Sequence, residues 1–471
     1  MRHSKAMGVF ASLLAAFGLG ACGGGSSTPT GNNGGTGQSA SVFTIGTDAP
    51  LPAVVSCPVT IMGITLSDGA KSVSVLGTPQ TVDFARLSGL HQLVDLQPVP
   101  PDTYTSATVT LSSATINYLD TTKTPPAITV LNATFNPSAS DTVTFKTPFV
   151  VQNADLVGLR MEFDIAQSVQ VDSSGNITGV IDPTFDMKLL NADDAEVSID
   201  DFHAGVTSVI GPNTFAVQGP RGRSWTVQTS GATAFDDPSV PESSYTTNTI
   251  VSISGTLDPV SHYIDAKEVQ VVSNDAFYLA GLFTSISPSS GPATSADLYV
   301  RDELPAVTSP NLQQGVITTL ALDNDEVYRI GNITMPLTSL LFNNSSLTAG
   351  QHVDIGGKIV TSNGTSSLDV HRVVLRRQGQ EGTLTAGSVV IQSGNVGTFT
   401  FADASTAGLL LPTPLEVMTT NQTNFTGVNG LSGLSKAAAV PLRVVGYVLI
   451  DPQSKTPILV ANSVEELTPK Q

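Results

Sequence analysis

Cysteine, tryptophan and positive charge are all scarce in this chain. Its 471 residues hold two Cys, one Trp and 21 Lys plus Arg against 39 Asp plus Glu, and only 13% are charged. Two cysteines cannot build the disulfide framework of a small secreted scaffold. So thin a charge excludes long surface helices, which are rich in Glu and Lys. The basic deficit excludes nucleic acid as a partner, because phosphate contacts supply most of that affinity. There is no P-loop, no G-x-S-x-G elbow, no Cys-x-x-Cys and no His pair at i, i+4. No catalytic residue and no cofactor is therefore expected. What is present is 40% hydrophobic residues, too many for a disordered chain, punctuated by 42 Gly and 29 Pro. These features describe a β-rich, multidomain protein.

The first residues carry an address. Arg2, His3 and Lys5 precede a mainly apolar run from Ala6 to Leu19, followed by Gly20-Ala21-Cys22. A basic start, a short apolar stretch and small residues before a cut are the parts of a secretory signal. The run is shorter than the roughly 20 apolar residues a spanning helix needs. Leu19-Gly20-Ala21-Cys22 resembles the lipobox of bacterial lipoproteins. That resemblance implies diacylglycerol on the Cys22 thiol, removal of residues 1–21 and a membrane partner reached through the lipid. Gly23 stands where an inner-membrane-retained lipoprotein usually carries Asp, so the resemblance favours the outer membrane. With Cys22 lipidated, Cys57 is the one thiol left, and it is expected to act as a small hydrophobe in a sheet. Residues 22–41 are Gly, Ser, Thr and Asn-rich and read as a tether with a reach of about 24 Å.

From residue 42 to 199 the apolar residues alternate. Val59-x-Ile61, Ile64-x-Leu66, Val73-x-Val75, Val109-x-Leu111, Val143-x-Phe145 and Val169-x-Val171 each place side chains on one face of a strand. Turn signals such as Ser67-Asp68-Gly69 and Pro100-Pro101-Asp102 separate them. Many short strands predict an antiparallel β-sandwich, with a short helical turn near Phe84 to Leu90.

The remainder repeats one phrase three times. It opens at Gly205-Val206, Gly281-Leu282 and Gly382-Thr383, and passes through Phe215-x-Val217, Leu298-x-Val300 and Phe399-x-Phe401. A third element reads Val251-x-Ile253-x-Gly255, Val353-x-Ile355-x-Gly357 and Leu442-x-Val444-x-Gly446. The fourth is Ala266-x-x-Val269, Val370-x-x-Val373 and Ala461-x-x-Val464. The glycine closing the third element is expected to mark a bulge where a sheet curls. The fold class expected is all-β: the sandwich at 42–199, then small β-barrel-like repeats at 203–274, 278–377 and 380–468.

The N-terminal module resembles the bacterial domain of unknown function 4382. The residues that carry this are Thr47-Asp48-Ala49-Pro50, Val59-x-Ile61-x-Gly63-Ile64, Val82-Asp83-Phe84-Ala85-x-Leu87 and Val99-Pro100-Pro101-Asp102-Thr103-Tyr104. Asp102 stands where that family usually has Gly. The three repeats resemble the domain of unknown function 5666. Neither family implies catalytic residues, because the motifs are turns and strand faces.

Polar clusters supply the candidate sites. Asp193, Asp194, Glu196, Asp200 and Asp201 gather carboxylates at the border of the sandwich and first repeat, as a calcium ion would want; a solvated acidic linker is the plainer alternative. Paired acids of this kind also serve a hydrolase, which Asp194→Asn would disable. Asp323-Asn324-Asp325-Glu326 reads as a turn. His352 and His371 sit on neighbouring strands of the second repeat and have the chemistry of metal ligands. Trp225 beside Arg221 and Arg223 forms either a ring-and-arginine platform for an anionic ligand or a core anchor. The function expected is a non-enzymatic lipoprotein of the cell envelope acting as a structural or interaction module, with an envelope protein as partner. The alternative is a glycan- or ligand-binding module using sandwich loops or the Trp225 region.

Overall fold

In a computed structural model, residues 40–467 are described with short interruptions, the longest at 192–197, 332–339 and 404–409. The Thr- and Val-rich segments are strands, as side chains branched at Cβ pack well on a pleated surface. Among the described residues, helix is confined to single turns such as Phe84–Arg86, Ile165–Ser168 and Gly430–Leu434. The protein is all-β, and no described helix is long and apolar enough to cross a membrane.

The N-terminal module is a sandwich. One sheet runs in the order Phe185–Asn191, Leu156–Asp164, Ala40–Ala49, Gln92–Val99. The other runs Ser140–Val151, Asp102–Asp120, Pro58–Ser67, Ser72–Ser74, with short strands added at its margins. The first sheet is mixed rather than antiparallel, because Ala40–Ala49 pairs in parallel with Leu156–Asp164. Val42, Leu159, Met161 and Phe163 from one sheet meet Val59, Ile61, Val109 and Leu111 from the other. Phe163 packs at 5.2 Å from Phe84 and 5.0 Å from Phe185. Full burial of each such ring contributes about 2–3 kcal/mol. Val169-x-Val171 departs from its expected pattern, since Val169 is buried and Val171 is 51% exposed.

The three C-terminal sheets share one strand plan. In the first, the order is Ser224–Gln228, Thr214–Gln218, Ile199–Gly211, Ile250–Leu257, Ile264–Ser273, and a parallel pairing of Val227 with Ile264 closes the ring. The third closes likewise through Gln378–Leu384 and Val396–Asp403, with Gly382 opposite Asp403. In the second, Ile317–Ala321 lies beside Thr365–Leu375, but no ladder joins them among the described residues.

Each closing glycine of the repeated phrase sits on a bulge. The register shifts between Ser254 and Gly255, between Gly356 and Gly357, and between Val445 and Gly446. A Cβ at Gly255, Gly357 or Gly446 would stand 2.1 Å from the carbonyl oxygen of Asp265, Asp369 or Val460. The strand bends only because the facing backbone can come this close, which is why glycine stands there in all three.

Residues 38–471 form one compact unit, and its cores cross the module borders. Tyr447, Leu449, Ile458 and Val460 of the third repeat pack in the cluster of Phe283, Leu298 and Ile355 of the second. Phe43, Ile45 and Leu93 of the sandwich join the cluster around Trp225 and Phe215 of the first. Ser88 of the sandwich lies on Gly379, where a Cβ would stand 1.7 Å from its carbonyl oxygen. The segment from Phe84 to His91 therefore reaches several modules.

Candidate functional site

The densest polar cluster lies where the sandwich and the first two repeats meet. Regular alternation would send the neighbours Asp200 and Asp201 to opposite faces. A register shift between Ile199 and Phe202, with Asp201 at φ 48°, lets both reach one cation. Arg377 lies 3.2 Å from Asp200 and 3.6 Å from Asp201. Arg376 and Arg377 form the two-residue connection between Thr365–Leu375 and Gln378–Leu384.

From there the network spreads. Arg376 Nη1 lies 3.6 Å from Asp201 and donates to Gln270 Oε1 at 2.6 Å. Arg376 Nε donates to Asp354 Oδ2, which also sits 2.6 Å from His203 Nε2. The His203 ring stacks on Tyr278 at 4.9 Å. On the sandwich side, the His91 backbone N–H donates to Asp200 Oδ2 at 3.1 Å. Burial pushes the Asp200 carboxyl up, but Arg377 and His91 outweigh it and hold it at about 2. Asp354 is likewise at about 2, burial being overcome by Arg376 and His203. These groups neutralise one another across three modules, and Asp200 and Asp354 are held ionised at neutral pH.

Beside the network runs a cleft. A cavity of about 70 Å³ is lined by Arg86 and Asp83 of the sandwich, Phe202 and Trp225 of the first repeat, and Arg301 and Asp302 of the second. A second cavity of about 30 Å³ shares Arg86 and Arg301 and continues to His352 and Arg376. Arg301 is 3% exposed, and its Nη1 lies 3.0 and 3.2 Å from the two ring nitrogens of His352. Burial, then the charges of Arg301 and Arg86, hold His352 well below the ordinary imidazole value, so it is neutral. Burial also lowers the Arg301 guanidinium from its usual value, with Asp83 opposing. It remains protonated at neutral pH.

Residues 41–180 match the family model described as Domain of unknown function (DUF4382). A search of curated proteins found no match. The DUF4382 match ends inside the strand Ile177–Ile181, while Phe185–Asn191 completes one of the sandwich sheets. The DUF4382 segment supplies Asp83, Arg86 and His91 to the cleft and network.

The expected sites fare differently. Asp193, Asp194 and Glu196, like Arg221, Arg223 and Cys22, lie outside the described residues. Of the expected calcium ligands, Asp200 and Asp201 are described, and both face Arg377. Among the described residues no group of three or more His, Cys, Asp or Glu is placed to hold a metal ion. His352 and His371 do not converge. His352 stands beside Arg301, whereas the half-exposed His371 pairs with Asp275 at 2.8 Å. Trp225 is 8% exposed and edge-on to Phe202 at 6.4 Å, so it is a core ring with one border on the cleft. Asp323-Asn324-Asp325 is a turn, closed by Glu326 accepting from the Asp323 and Asn324 backbone. The Cys57 side chain is buried in the sandwich core. Reading the sequence missed Arg86, Arg301, Asp354, Arg376 and Arg377. Its available signal was two adjacent arginines between repeats of an acid-rich chain.

Proposed function

We propose that the protein is a non-enzymatic lipoprotein of the bacterial cell envelope, anchored through Cys22 and acting as a rigid structural or interaction module at the outer membrane. The observation that carries this reading is the buried charge network joining sandwich, first repeat and second repeat through Arg376 and Arg377. A body built this way holds its outer surfaces in fixed relation, as a scaffold must. Its carboxylates are engaged by arginines, which suits structure better than hydrolysis. The three strand plans with a bulge glycine support the resemblance of the repeats to the domain of unknown function 5666. The signal, Cys22 and the Gly- and Ser-rich residues after it support export and the lipid anchor.

Labelling cells with a palmitate analogue tests the anchor. Wild type takes up label and partitions with the outer membrane, and Cys22→Ala does neither; equal labelling of both removes the anchor. A pull-down from solubilised membranes then identifies the envelope partner. The ligand-binding alternative is supported in a narrower form. The buried Trp225 ring offers no flat face for a stacked sugar, but it does border a charged cleft.

A further inference from the structure

Arg301 holds a buried guanidinium with no ion-paired carboxylate among the described residues. Its Nε finds no hydrogen-bond partner, and Nη1 reaches only the neutral His352. An arginine so placed is costly, because a desolvated charge needs a counter-charge and each buried donor needs an acceptor. Arg86 lines the same cavity, and its side chain donates to Gln92 Oε1 at 2.8 Å. Two guanidiniums on one cavity repel each other until an anion lies between them. Facing the same space is an acceptor in the converse condition. Asp83 Oδ1 accepts from the Cys57 backbone N–H at 2.7 Å, whereas its buried Oδ2 has no partner.

A simple anion would serve Arg301 and leave Asp83 Oδ2 unserved, and a simple cation would do the reverse. The charged lining is itself balanced, with Arg86 and Arg301 against Asp83 and Asp302. We infer that this cleft binds a small α-amino acid as its zwitterion, with the carboxylate toward Arg301 and Arg86 and the ammonium toward Asp83. The cavity, about 70 Å³, suits a compact molecule. Phe202 and Trp225 give it an apolar wall for a methyl-sized side chain. The inference deepens the ligand-binding reading and is independent of the lipid anchor.

Trp225 is the only Trp of the chain and borders the cavity, so its emission reports occupancy directly. The full chain is titrated with glycine, L-alanine, D-alanine, acetate and methylammonium. At least one amino acid gives a saturable emission change in the millimolar range or tighter, while acetate and methylammonium each bind about tenfold more weakly or not at all. Arg86→Gln, at a half-buried position, weakens the amino acid about tenfold while keeping the far-ultraviolet spectrum and urea midpoint of wild type. If no compound alters emission, the zwitterion inference is overturned, and the ligand-binding reading is then judged separately by the membrane pull-down. If acetate binds as tightly as alanine, the cleft is an anion site and the zwitterion is overturned. Unchanged affinity in folded Arg86→Gln overturns it as well.

Discussion

Replacing Asp354 with Asn tests whether the buried network holds the modules together. Asp354 is 1% exposed and receives both His203 of the first repeat and Arg376 of the second. Asparagine keeps the shape and one acceptor but withdraws the charge. Arg376 then remains buried with Asp201 at 3.6 Å as its nearest carboxylate. Breaking one side of a buried pair costs about 3–5 kcal/mol, and the acceptor that remains places this variant near 3 kcal/mol. Urea denaturation followed by Trp225 emission reads the loss as a lower midpoint. The triple change His203→Phe, Asp354→Leu, Arg376→Met removes the charges together and should recover most of the loss, because apolar packing often replaces a buried ion pair without cost. A loss below about 1 kcal/mol for Asp354→Asn would refute the reasoning, since the pair would then be screened like a surface one.

Acid should loosen the same contacts. Asp200 and Asp354 are held at about 2, below their ordinary 3.8, so their stabilisation is complete above pH 4 and disappears as pH falls from 4 through 2. Each shift is worth about 2 kcal/mol, and Asp354→Asn should remove its share of the acid dependence measured by urea midpoints. Gly446→Ala drives a methyl into the Val460 carbonyl oxygen and should cost about 2–3 kcal/mol. Gly63→Ala, with nothing within 4 Å of the added carbon, should stay within about 0.5 kcal/mol in the same urea titrations. Equal effects of the two alanines would mean that the bulge is not what selects glycine.

Local rules made much of this fold legible. Alternation located the strands, and one glycine per repeat located the bulges at Gly255, Gly357 and Gly446. The turn expected near Phe84 to Leu90 is the single helical turn Phe84–Arg86 with the loop that follows. What alternation conceals is the partner of each face. In Pro441–Ile450, the six residues Val444 to Leu449 are all buried, because one face fills its own barrel while Tyr447 and Leu449 enter the core of the second repeat. Such an unbroken apolar run is itself a sign of burial on both faces. The candidate site was less legible for a related reason. Asp200 and Asp201 read as cation ligands until a bulge and Arg377, more than 170 residues away, decide what they face. Nothing local marks Arg301 as buried, since an arginine in a strand usually points to water.

Limited trypsin digestion of the purified protein tests most directly whether the modules form one body. Arg376-Arg377 is the sharpest cleavage signal between the second and third repeats, and both side chains are largely buried in ion pairs with Asp200, Asp201 and Asp354. The network predicts that this bond resists trypsin and that one large fragment spanning all four modules persists. Early cleavage after Arg376 or Arg377, releasing the third repeat as a stable fragment, would contradict it.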